Sequence, residues 1–278
     1  MIKVITDSGC DLPFEVLRDN RIEMVPLKVT FEDGSSYLDR VEISPQEFRE
    51  KMYRSRELPK TAAPDPKTFL DVFRRALTEA GEAVCVCLSS GLSSTYQSAV
   101  LARDMLETEK IKIVDSLSAS LGVGVLAVRA SELARQGLSL DVVFRRLTDY
   151  RDNMKTIFTL DTLENVTKGG RLTKFQGLVG QILDIKPIFH GVEGKIEVLE
   201  KLRGRRRALR RLTDLLGEMT RHDLGDRIIG LSHMDCLSEA NFVKEEIERL
   251  YGPVRIIVAE MGSTLSTYAG KGGIIMAF

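Results

Sequence analysis

The chain has 278 residues, 43% of them hydrophobic, enough for one large domain or two modest ones. Lys+Arg and Asp+Glu both number 40, so the net charge is +0 and no global field recruits nucleic acid or an anionic membrane. With no Trp and 6% aromatic residues, stacking platforms for single-stranded nucleic acid are not expected either.

Ile2–Thr6 reads as a strand at the start of the chain, without the layout of a signal peptide. No apolar run reaches bilayer-spanning length, so a cytoplasmic location is the expectation. Ile22–Phe31, Ala83–Leu88 and Ile111–Asp115 are apolar and partly β-branched, as strands are. Helical patterns fall between them at Pro45–Arg54, Pro66–Ala80 and Ser94–Leu106. Ser44-Pro45-Gln46-Glu47 reads as a capping box with Pro at the first helical position, and Asp65-Pro66 is a similar start. This alternation predicts a mainly parallel sheet flanked by helices. Ala119 to Gln136 reads as a long helix stopped by Gly137, and another opens near Leu138 and runs to about Tyr150.

The polar stretch Arg151–Lys155 is the expected boundary between an N-terminal α/β domain, residues 1–153, and a C-terminal α/β domain, residues 154–278. Beyond it, Thr156–Leu160, Lys186–Phe189, Ile196–Lys201, Arg227–Ser232, Val254–Glu260 and Ile274–Phe278 are strand-like. Gly191-Val192-Glu193-Gly194 is a tight-turn signal joining two of them. The second domain is therefore expected to be a mixed or antiparallel α/β sandwich. Cys10, Cys85, Cys87 and Cys236 have neither metal-ligand nor CxxC spacing, so buried thiols and no metal are expected.

Ligands of parallel α/β sheets sit beyond the carboxyl ends of the strands. Here those ends read Thr6-Asp7-Ser8, Ser89-Ser90-Gly91-Leu92-Ser93 and Asp115-Ser116, all small hydroxyls or carboxylates. The loop Leu88–Tyr96 between a strand and a helix suits an anion, with free N–H groups, a helix dipole and serine hydroxyls; it also suits a simple helix cap. Thr61 sits in a small-residue loop between two helices and is free for a ligand or for solvent. Thr167-Lys168-Gly169-Gly170-Arg171 combines a helix C-cap with an arginine fork that can take a carboxylate or phosphate. A Gly/Ser/Thr-rich loop, Gly262–Gly273, lies between two late strands.

No G-x-S-x-G elbow, Walker A sequence or G-x-G-x-x-G follows the early strands. The three histidines, His190, His222 and His233, all fall in the second half. Hydroxyls without a strong base suggest binding rather than turnover. A stand-alone acyl hydrolase using Ser93 is the competing expectation, and a nucleic-acid regulator using the basic run Arg203–Arg211 is another.

Taken together, these motifs resemble those of the DegV family of fatty-acid-binding proteins, which includes the FakB-type subunits of bacterial fatty acid kinase. The matching residues are Thr6-Asp7-Ser8, Leu58-Pro59-Lys60-Thr61 with Pro64, and Ser89 to Ala99. Further on come Asp115-Ser116 with Gly122 and Gly124, Leu163-Glu164 with Lys168-Gly169-Gly170-Arg171, and Lys186-Pro187-Ile188. The resemblance implies a long-chain fatty acid in an interdomain tunnel and a carrier without catalytic residues or cofactor. It assigns the carboxylate to Thr61 and Ser93, to which the loop's own chemistry adds Gly91 and Ser94 and the position of Tyr268 adds a phenol donor, and it implicates Arg171 in acyl-phosphate formation with a separate ATP-dependent kinase subunit. Neutral overall charge argues against a nucleic-acid partner and leaves transient membrane contact open. Two departures from the family pattern stand out: Ala62-Ala63 replaces Ser-Gln, and Tyr268 stands where a His is common.

Overall fold

A computed structural model describes residues 1–172 and 185–278. Four strands, β1 (Ile2–Asp7), β2 (Ile22–Val25), β6 (Glu82–Cys87) and β7 (Ile111–Asp115), form a wholly parallel sheet in the order β2-β1-β6-β7. Ala83 to Cys87 are buried on both faces, which is why β6 is a continuous apolar run rather than an alternating one. Helices α3 (Pro66–Ala80) and α4 (Thr95–Asp104) bury Phe69, Phe73 and Ala99 against one face. Helices α5 (Leu121–Arg135) and α6 (Leu140–Asn153) bury Leu126, Val143 and Leu147 against the other.

The expected strand Ile22–Phe31 is instead two strands in two sheets. Pro26 has no N–H to extend the ladder, so β2 stops at Val25 and the chain turns into β3 (Lys28–Thr30). β3 lies between β4 (Ser36–Leu38) and β5 (Lys60–Ala62) in a small antiparallel sheet of order β4-β3-β5. Thr61, expected in a loop, is thus in a strand, opposite Val29. Helix α1 (Phe14–Asp19) follows β1, and α2 (Pro45–Arg54) starts at the expected capping box: Ser44 accepts from Glu47 N–H while Glu47 reaches back to Ser44. Asp65 caps α3 through Thr68 N–H at 2.7 Å.

Six strands form the second large sheet: β8 (Thr156–Thr159), β9 (Ile185–Val192), β10 (Lys195–Arg203), β11 (Ile228–His233), β12 (Arg255–Glu260) and β13 (Ile274–Ala277), in the order β10-β9-β8-β13-β11-β12. Only β11 and β12 run parallel, so the sheet is mixed as expected. Glu193 (φ 48°) and Gly194 (φ 76°) close the β9–β10 hairpin in the left-handed conformation that such turns demand. Helices α8 (Arg205–Thr220) and α9 (Leu237–Tyr251) cover one face. α7 (Glu164–Lys168), α10 (Ser263–Ala269) and α2 share an apolar cluster with the other face. α5 also packs here, with Leu121 and Val125 beside Gly230 of β11.

The supposed loop Gly262–Gly273 therefore contains a helix, α10. Two arginines of the basic run are paired: Arg205 binds Glu239 at 2.6 Å, and Arg211 binds Glu200 at 2.7 Å and Glu218 at 2.5 Å. No helix among the described residues is long and apolar enough to cross a membrane.

Candidate functional site

The β6–α4 loop closes one side of an apolar pocket walled by Leu27, Leu88, Phe158, Leu160, Ile196 and Leu265, among others. Its empty space, open mouth included, is about 870 Å³. The wall draws on residues from both sides of Asn153: Thr61, Leu92 and Ser93 on one, Phe158, Arg171 and Tyr268 on the other.

Polar side chains on this wall are linked in a chain of contacts. Thr61 Oγ1 and Tyr268 OH share a hydrogen bond of 2.6 Å. The Arg171 guanidinium lies over the Tyr268 ring, 4.6 Å from its centroid. Arg171 Nε donates to Leu92 O at 3.3 Å, and its Nη1 to Gly169 O at 2.6 Å. Ser93, next to Leu92, shares a 2.9 Å hydrogen bond with Thr95 Oγ1. Thr61, Ser93, Tyr268 and Arg171, singled out from sequence, are thus brought together. A second hydroxyl pair, Ser118 with Thr156 at 2.7 Å, lines another part of the wall.

Gly91 and Ser94 are not part of the wall. Gly91 N–H donates to Ser89 Oγ at 3.1 Å. Its missing side chain is what the hairpin needs, since a Cβ there would sit 2.5 Å from Gly194 O. Ser94 precedes α4 with its side chain exposed and no capping bond; Ser93 Oγ takes Thr95 N–H instead. The expected cradle of free backbone N–H groups is also largely occupied. Asp7 accepts from Leu88 N–H at 2.7 Å, and Asp115 accepts from Ser90 N–H at 3.1 Å. Ser89 O accepts from Leu92 and Ser93 N–H, both at 3.0 Å. The carboxylates at the strand ends therefore brace the loop, and the polar groups left on the wall are mainly side-chain hydroxyls and Arg171.

Asp7 is fully buried, and burial pushes its carboxyl up to about 7 despite the Leu88 and Gly9 N–H bonds that oppose the rise. Asp11 is pushed up to about 7 in the same way, against its bonds from Ser120 and Gly262 and the nearby Arg40 charge. Asp39, absent from the sequence reading, is completely buried and accepts from Ser8 Oγ, Ser263 N and Thr264 Oγ1. Ser93 has no imidazole beside it: none of His190, His222 or His233 is in the wall. His233 is buried, which lowers its pKa, and its charged neighbours are Arg49 and Asp235. Among the described residues no group of His, Cys, Asp and Glu forms a metal site.

Fold and site define an α/β protein with two large sheets, one parallel and one mixed, and an apolar pocket edged by hydroxyls and an arginine. The sequence model of the family described as "Uncharacterised protein, DegV family" matches residues 1–278. The chain is 33% identical over 269 residues to a DegV domain-containing protein of Caldanaerobacter subterraneus subsp. tengcongensis, covering 97% of this chain and 95% of that one. It belongs to the DegV family. A DegV family protein of Thermus thermophilus, solved for its fatty acid binding, superposes with a TM-score of 0.90 at 31% identity, over 100% of this chain and 99% of that one. One from Ruminococcus gnavus, refined with vaccenic acid, gives 0.92 at 28% identity over 100% and 99%. The fatty acid kinase (Fak) B3 protein of Streptococcus pneumoniae, loaded with linoleic acid, gives 0.87 at 27% identity over 100% and 99%.

Proposed function

We propose that the chain is a carrier that binds a long-chain fatty acid in this pocket, between its domains 1–153 and 154–278. The observation that carries the reading is the Thr61–Tyr268 pair at the edge of an apolar cavity. Two hydroxyls own two hydrogens; their mutual bond uses one and leaves the second for a carboxylate. The Ser93–Thr95 pair offers the same. Each buried methylene contributes roughly 0.8 kcal/mol, so the tail provides affinity while the hydroxyls fix orientation. Gly91 and Ser94 act through loop shape and backbone rather than as side-chain donors. The fatty acids in the solved relatives support this ligand class.

The carboxylate is then presented to a separate ATP-dependent kinase, which forms the acyl phosphate; the pneumococcal Fak relative supports that partnership. Arg171 is exposed and holds its fork at the mouth by two backbone carbonyls, so it serves the kinase step more than lipid retention. Ser93 as a hydrolytic nucleophile has no histidine in the wall to activate it.

Native mass spectrometry of the purified protein should show a co-purifying fatty acid, and delipidated protein should rebind stearic or oleic acid. Delipidated protein that binds no long-chain acid refutes the carrier reading. Arg171→Ala should keep lipid affinity within about twofold and abolish acyl-phosphate formation by a cognate kinase; loss of binding with phosphorylation of the residual complex intact would overturn its assignment.

A further inference from the structure

α10 is seven residues of Ser, Thr, Leu, Tyr and Ala, with no side-chain cap of its own because Gly262 precedes it. A helix this short has little stability alone, so its position depends on what holds its ends. Its first N–H groups are taken by two carboxylates from far earlier in the chain. Asp11 Oδ1 accepts from Gly262 N at 2.8 Å. Asp39 Oδ1 accepts from Ser263 N at 2.7 Å, and its Oδ2 from Thr264 N at 3.3 Å and Thr264 Oγ1 at 2.8 Å. Ser8 Oγ–H steadies the same Oδ2 from the other side at 2.9 Å. A Cβ on residue 262 would lie 3.0 Å from Asp39 Oδ1 and 2.8 Å from Arg40 Cδ, so glycine there admits the carboxylate.

The opposite end of α10 carries Tyr268, whose OH meets Thr61. Asp39 directly follows β4, and Thr61 lies on β5, the two edges of one small sheet. That sheet therefore grips α10 at both ends, by carboxylate at the start and by hydroxyl at the finish. Any slip of the helix start moves Tyr268 along Thr61.

We infer that Asp39 is a positioning residue for the ligand's polar end: by capping α10 across the chain, it sets where the Tyr268 hydroxyl stands against Thr61. This rests on the fatty-acid reading of the pocket. Its consequence is specific to ligands with a carboxylate, because the apolar wall does not depend on that alignment.

The test compares stearic acid with octadecanol, which has the same chain and no carboxylate, on delipidated full-length protein. Asp39→Asn should weaken the acid about tenfold and leave octadecanol within about twofold. Tyr268→Phe should show the same signature, and the double variant should be no weaker than the worse single one, as for residues acting in series. Thr264→Val, nearly isosteric, removes one hydroxyl bond to Asp39 and should give a smaller loss, about threefold, again for the acid alone. Equal losses for acid and alcohol, or additive losses in the double variant, would overturn the positioning role while leaving the carrier reading in place. Wild-type protein that binds neither ligand would overturn the carrier reading, and this role with it.

Discussion

Tyr268→Phe removes one hydroxyl and nothing else of the ring. The ring stays packed under the Arg171 guanidinium, 4.6 Å from centroid to the central carbon, so the pocket keeps its shape. A hydrogen bond to a charged group contributes about 1.5–3 kcal/mol. Thr61 loses its 2.6 Å partner in the variant and turns its own hydrogen to the ligand, which offsets part of the loss. The net cost is about 1.5 kcal/mol, roughly tenfold in Kd. Burial of two methylenes contributes about 1.6 kcal/mol. The variant with stearic acid should therefore bind about as tightly as wild type with palmitic acid, two methylenes shorter. Isothermal titration or competition against a fluorescent fatty acid reads this directly. Unchanged stearic acid affinity in Tyr268→Phe would refute the assignment of the hydroxyl to the carboxylate. A much larger loss, shared by ligands without a carboxylate, would show that the ring and not the hydroxyl matters.

Gly91→Ala places a methyl group 2.5 Å from Gly194 O and strains the contact through which Ser89 Oγ–H holds the hairpin at 2.7 Å. It should destabilise the fold by about 1–3 kcal/mol, read as a lowered Tm; an unchanged Tm would mean the hairpin yields freely. For pH, Asp7 and Asp11 are both raised to about 7 by burial, so the folded state binds protons that the unfolded state has released. Their contribution to stability is full below the ordinary carboxylate pKa, near 4, and is lost as pH rises through about 7. The stability gap between wild type and an Asp7→Asn/Asp11→Asn variant should shift in the variant's favour across that window; a gap independent of pH would contradict it.

Local signals made much of the fold legible. The Ser44–Glu47 capping box, the Asp65-Pro66 start and the Glu193-Gly194 turn each act within four residues, and the structure has all three where the sequence puts them. Ile22–Phe31 misleads because its hydrophobicity is continuous across Pro26, while the ladder is not. Lys60–Ala62 shows no strand pattern because its partner is the short β3 rather than a buried sheet. α10 is unreadable for a different reason: Ser and Thr are weak helix formers, and the caps that settle them are Asp11 and Asp39, over two hundred residues away. Thr61, Ser93 and Arg171 were legible as motifs, but their union with Tyr268 depends on contacts across 79 and 207 residues that no spacing reveals. The loop's N–H groups misled for the same reason, since Asp7 and Asp115 reach them from other strands.

α5 is buried almost all round from Leu121 to Ser131, because it serves the parallel sheet on one side and β11 on the other. Most surface helices have a wet face to lose nothing when a neighbour leaves. This one has none. A fragment ending at Asn153 would carry α5 with the apolar surface that meets Gly230 laid bare, an open invitation to aggregation. The halves of the molecule are therefore poor building blocks for recombination: exchanging either one between relatives requires recutting the other's side of α5.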